Sequence, residues 1–118
     1  MITRQKIKSV YLACGFADLR KSIDGLALIV QESFDLDPFS PSLFVFCNRN
    51  KDKLKILHWE HNGFWLYYRR LERGKFKWPT DDNEQNIKIK PKEFEWILDG
   101  YEVRQGKAFK EVNQRKIV

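Results

Sequence analysis

The chain is poor in everything that would staple it covalently or anchor it in a bilayer. Its 118 residues contain two cysteines, Cys14 and Cys47. That is too few for a disulfide framework, and a reducing compartment is the default. No apolar run approaches the roughly 20 residues that span a membrane. The opening Met1-Ile2-Thr3-Arg4-Gln5-Lys6 has neither an apolar core nor a small-residue cleavage site, so a cytoplasmic location and no membrane partner are expected. The sequence has no CxxC pair and no phosphate-cradling glycine loop of either standard pattern. His58 and His61 would point to opposite sides of a strand, which leaves no zinc set even with the cysteines added. His61-Asn62 lacks the downstream histidine of a nuclease motif, and Asp81, Asp82 and Glu84 read as a solvated loop rather than a magnesium site. No nucleophile–base pair is visible. The expectation is a protein that is not an enzyme and carries no metal and no cofactor.

What is present fits one soluble domain. Hydrophobic residues make up 42% and charged residues 32%, inside the globular range and outside the disordered one. The net charge of +6 is not spread evenly. The window 49–77 holds nine basic residues, Arg49, Lys51, Lys53, Lys55, Arg69, Arg70, Arg73, Lys75 and Lys77, against Asp52, Glu60 and Glu72. The rest of the chain has 13 of each sign and is neutral. Charge concentrated in this way is the footprint of a polyanion-binding face, although a solvated basic surface has the same composition.

Hydrophobic patterning predicts the elements. A β-prone run over 9–13 ends at Gly15. Asp18 is then placed to cap a long helix over 18–33, with Leu19, Ile23, Leu26 and Val30 on one face. Gly25 inside that helix implies close packing against a neighbour. Asp37-Pro38 and Ser40-Pro41 break the chain. The apolar run 43–47 reads as a buried strand, and 54–59 and 64–71 as two more. Asn62-Gly63 forms the tight turn between them. The alternation in 75–78 suggests another short strand, 87–89 an edge strand, and Pro91 the start of a helix reaching 99 and stopped by Gly100. The fold class is α+β: an antiparallel meander packed on one long helix, plus a short C-terminal helix. Residues 1–103 form the domain, and 104–118 are expected to be a flexible tail.

With a two-residue turn, one side of the hairpin carries Lys55, Leu57, Trp59, Phe64, Leu66, Tyr68 and Arg70. The other carries Leu54, Ile56, His58, Trp65, Tyr67, Arg69 and Leu71. Neither side is polar throughout, so both must be covered in part. Rings interleaved with arginines can stack bases and hold phosphates. Trp59, Trp65, Phe64 and Phe76 are instead expected in the core, with contact left to the basic residues. Arg20 and Lys21, in the first turn of the expected helix, oppose its dipole and make a second candidate anion site. Pairing with Asp18 and Asp24 would account for them equally.

Three strings carry a resemblance: VYLACGFADLRKSIDGL from Val10, LDPFSPSLFVF from Leu36 and DKLKILHWEHNGFWLYYRRLERGKFKWP from Asp52. A fourth, ending Trp-Ile-Leu-Asp-Gly at Gly100, follows in order. Together they resemble the small accessory proteins, the second open reading frame products (TnpB), of the bacterial insertion-sequence sixty-six transposon family. These are unrelated to the RNA-guided nucleases that share the name. The resemblance implies an accessory role in transposition beside a separate transposase that carries the catalytic residues. It supplies no catalytic residue to transfer. DNA at the transposon ends, the transposase and a further accessory protein are the partners it implies. The expected mechanism is DNA binding through a basic sheet face; the alternative is a module that docks on the transposase without touching DNA. Cys47 stands where the family pattern has a basic residue, and Phe16-Ala17 where it has Pro-Thr or Pro-Ala.

Overall fold

The computed structural model describes residues 6–80 and 83–102; the expected tail at 104–118 lies outside them. Five strands and two helices follow one another along the chain. Strand β1 is Ser9–Ala13, β2 Ser42–Cys47, β3 Lys53–Glu60, β4 Gly63–Arg70 and β5 Asn86–Ile89. Helix α1, Ile23–Leu28, runs on into a π-helical turn, Ile29–Ser33, and α2 is Pro91–Leu98. The strands form one sheet in the order β4-β3-β2-β1-β5.

The class is α+β, with a mixed sheet in place of a pure meander. β1 and β2 are parallel, since the chain crosses over through α1 between them, and every other pairing is antiparallel. β2 lies at the centre and is buried at all six positions, as its unbroken apolar run requires.

Each sheet face has its own core. Ala13, Phe44, Phe46 and Leu57 pack under Leu26 and Val30 of the first helix. Tyr11 stacks on Phe44, and Phe34 on Phe46, at centroid distances of 5.5 and 6.0 Å. The opposite face gathers Val10, Leu12, Val45, Cys47, Leu54 and Ile56 beneath Phe94 and Ile97 of α2, with Phe76 and Trp78 filling the end. Burying a side chain of this size contributes roughly 1.5–3 kcal/mol.

The first helix begins at Ile23, four residues later than the Asp18 cap implied. Asp18 does not cap it. Its carboxylate accepts the Arg20 backbone N–H at 3.0 Å and grips the Arg20 guanidinium at 2.7–3.1 Å. The local side-chain bonds offer the backbone an alternative to the helix, so residues 18–21 turn instead. The nearest atoms a Cβ on Gly25 would meet are those of the Lys21 side chain, at 3.3–3.6 Å; the nearest neighbour is its own preceding turn.

The hairpin register also differs. Trp59 pairs with Phe64 and Glu60 with Gly63, so His61 and Asn62 make the turn. His61 takes φ +60, and the Asn62 N–H donates to the Glu60 carbonyl at 2.6 Å. The shift is of two residues, an even number, so the composition of each face is unchanged.

Residues 75–78 form no strand. They run across the sheet end: the Phe76 N–H donates to the Lys51 carbonyl at 2.7 Å, and the Trp78 indole N–H to the Ala13 carbonyl at 2.9 Å. Their alternation reflects burial of Phe76 and Trp78 with Lys75 and Lys77 left in solvent. Helix α2 follows expectation closely. Pro91 opens it, the Glu93 carboxylate accepts the Lys90 N–H at 2.8 Å, and Gly100 ends it at φ +98.

Candidate nucleic-acid interface

The topology places the basic residues. β1 and β2 are parallel, so both end on the same side of the sheet. β3 starts there and β4 returns there. Three loops therefore meet at one end: residues 14–22, 48–52 and 71–80. Every candidate cation lies in them or in the adjoining strand ends. Arg20 and Lys21 come from the first loop, Arg49 and Lys51 from the second, and Arg73, Lys75 and Lys77 from the third. Lys53 and Lys55 stand at the start of β3, Arg69 and Arg70 at the close of β4.

Alternation divides the strand residues between faces. Lys53 and Lys55 lie opposite Arg70 and Tyr68 on the α1 side, and Arg69 opposite Leu54 on the α2 side. The expected single basic face of the sheet is thus a basic end. Carboxyl ends of parallel strands are also where open α/β sheets hold their ligands.

Local bonds tie the three loops together. The Ala17 N–H donates to the Cys47 carbonyl at 2.9 Å, and the Leu71 N–H to the Asp52 carbonyl at 2.8 Å. The Lys55 ammonium donates to the Lys21 carbonyl at 3.0 Å, and that of Lys75 to the Asn50 carbonyl at 2.7 Å. Asn48 shapes the middle loop: its side-chain oxygen accepts the N–H groups of Asp52 and Lys53 at 3.1 and 3.0 Å, and its amide donates to the Asp52 carboxylate at 2.7 Å.

Three carboxylates form ion pairs with these cations. The Arg20 guanidinium holds Asp18 well below the usual carboxylate range. The Asn48 amide, with Lys53 at 3.4 Å, lowers Asp52. Glu72 accepts from Arg70 Nε at 2.9 Å, which raises that guanidinium further. The Arg20–Asp18 and Arg70–Glu72 pairs are exposed and Lys53–Asp52 is half-buried; pairs open to solvent add little stability, and these orient the basic side chains without neutralising the end. Lys21, Arg49, Lys51, Arg69, Arg73 and Lys77 have no carboxylate partner among the described residues.

Two cations share one ring. Arg49 Cζ lies 5.8 Å and Lys51 Nζ 5.9 Å from the centroid of Phe16, itself partly exposed. Sequence reasoning passed over Phe16 as a site residue; the signal available was an aromatic side chain beside Gly15, in the loop that carries Arg20 and Lys21. On the far side of the middle loop, Lys51, Lys75, Lys77, Phe76, Trp78 and Glu102 line an open cleft of about 400 Å³. Ammonium and guanidinium groups grouped like this, with spare donors, can hold phosphate oxygens.

The aromatic residues sort unequally. Phe76 is buried, Trp59 and Phe64 are half-buried, and Trp65 is exposed against expectation. The Trp65 indole N–H donates to Glu60 at 2.9 Å and its ring stacks on Tyr67. Trp59 and Phe64 pack with Phe39 near the turn, at the pole opposite the cations. Cys47 is interior, so the basic residue of the family pattern would meet the core there. His58 is fully buried with Nδ1 3.2 Å from the Ser42 carbonyl. Among the described residues no three His, Cys, Asp or Glu side chains converge on a metal position, and no helix is long and apolar enough to cross a membrane.

Comparison with known proteins adds the last observation. The family model described as IS66 Orf2-like protein matches residues 8–108. Two proteins of Sinorhizobium fredii (strain NBRC 101917 / NGR234) are similar in sequence. Uncharacterized protein y4hO is 37% identical over 95 residues, which is 80% of this chain and 82% of that protein. Uncharacterized protein y4jC is 30% identical over 83 residues, 70% of each chain. No solved structure matches.

Proposed function

Since the chain belongs to the IS66 Orf2-like family, and is on that ground an accessory protein associated with transposition of an insertion sequence, we propose that it serves by binding DNA through the basic end of its sheet. One observation carries this reading. Eleven cations drawn from separate stretches of sequence meet where three loops and two strand ends converge, and among the described residues only three carboxylates form ion pairs with them.

The cations act chiefly on phosphates, which supplies affinity and position rather than sequence readout. Phe16 supports Arg49 and Lys51 from below, and the exposed ring of Tyr68, across from Lys55, is available for stacking on a base. On this reading the protein performs no chemistry itself. Strand transfer belongs to the element's transposase, and the DNA partner is the transposon end.

The test removes charge without touching the core. Lys51, Lys75 and Lys77 line one cleft, and the last two are exposed. The variant K51A/K75A/K77A is expected to keep its circular dichroism and melting behaviour and to bind duplex DNA about tenfold or more weakly. Equal binding by the variant and the parent would overturn the proposal.

A further inference from the structure

The two edges of the sheet are built differently. β5 is four residues long and carries Lys88, with Lys90 and Pro91 directly after it. Short length, lysine and proline are the usual ways an edge is protected from pairing. β4, at the other edge, is eight residues long and has no lysine, proline or acid. Among the described residues nothing pairs with its outer side. Trp65 and Tyr68 are 43% and 56% exposed along it. An open strand of this length and composition is a template for another strand.

The distribution of charge selects the occupant. The basic residues of β4 are its last two, Arg69 and Arg70, while its start, Gly63-Phe64-Trp65, is neutral and aromatic. A second copy laid antiparallel brings the basic end of each strand to the aromatic end of the other. A parallel copy in register would set arginine against arginine. Directly opposed residues must share a sheet face, so a two-fold axis has to pass through a residue and not between two. With the axis at Tyr67, Trp65 faces Arg69 of the second copy, Phe64 faces its Arg70, and Leu66 faces its Tyr68. Both arginines then lie beside rings, as cation–π contact requires.

We propose that β4 pairs with β4 of a second copy, antiparallel about Tyr67, to give a homodimer with one continuous ten-stranded sheet. The interface is isologous, so each contact occurs twice. The pairing engages Arg69, Arg70 and Tyr68, which the DNA reading also uses, but it is tested apart from that reading, because the loop lysines that test DNA binding lie outside the strand. In such a dimer the two basic ends point in opposite directions.

Sedimentation or light scattering at tens of micromolar is expected to show a dimer for the parent chain. Trp65→Lys sets an ammonium group opposite Arg69 of the second copy, and is expected to weaken association about tenfold or more, because the axis applies the change twice. The exposure of Trp65 lets the fold tolerate the change, with circular dichroism as the check. The double variant W65K/R69E opposes an ammonium with a carboxylate and is expected to restore the dimer. A monomeric parent would overturn the proposal, as would a dimer indifferent to W65K or a folded W65K whose association R69E does not recover.

Discussion

Lys51 stands at φ +61, a backbone region that side chains other than glycine and asparagine seldom occupy. Its carbonyl is held by the Phe76 N–H, and its ammonium sits over Phe16 at 5.9 Å. A position that favours glycine therefore carries a cation that faces the cleft. Lys51→Gly is expected to raise stability by about 0.5–1 kcal/mol, the left-handed penalty less the extra chain entropy of glycine. The same change should lower DNA affinity. Urea unfolding and a binding titration on one preparation check both signs.

The cysteines separate at the same scale. Burial pushes the Cys47 thiol up to about 12, whereas Cys14 is only partly covered. Near pH 8 Cys47 is both protonated and enclosed, and the thiolate is the reactive form. A maleimide is expected to label the native chain once, at Cys14, and the unfolded chain twice; mass spectrometry reads the difference.

Single elements show what the sequence could and could not convey. Strand positions were legible because alternation depends on nearest neighbours, and the hairpin faces survived a two-residue register shift because the pattern repeats every two. The start of the first helix was not legible. Asp18, a good cap by type, is committed to Arg20 two residues on, and nothing in spacing distinguishes that use from capping. The alternation in residues 75–78 signalled burial correctly and strand wrongly, since no partner strand lies beside them.

That segment is instead docked by its side chains, Trp78 above all. Replacing Trp78 with Phe keeps a ring but leaves the Ala13 carbonyl without its 2.9 Å partner in a buried position. An expected loss of about 1–3 kcal/mol follows from the unsatisfied acceptor. The denaturation midpoint checks it. A shift near zero would mean that water or another donor replaces the indole.

At the level of the whole molecule, the charge excess of residues 49–77 was visible in the sequence as a number but not as a shape. Whether it would coat one sheet face depended on the pairing of β1 with β2, a contact across more than thirty positions. The parallel pair is what brings residues 14–22 beside 48–52 and adds Arg20 and Lys21 to the cluster. Alternation alone would have dispersed Arg69 and Arg70 to opposite faces; position along the strand gathers them at one end.

The central claim is that this end grips a nucleic-acid backbone. The most direct test is a titration of the purified protein against the element's terminal repeat, a shuffled duplex of equal length and a single strand, each at several salt concentrations. Counterion release makes log affinity fall linearly with log salt, with a slope of about −0.9 per phosphate contacted on duplex DNA. Six cations with neither a carboxylate nor a carbonyl acceptor among the described residues predict a slope of about −4 to −6 on both duplexes. A preference for the terminal repeat would add recognition of the element's own end. Absence of binding at low salt, or affinity that does not change with salt, would contradict the account.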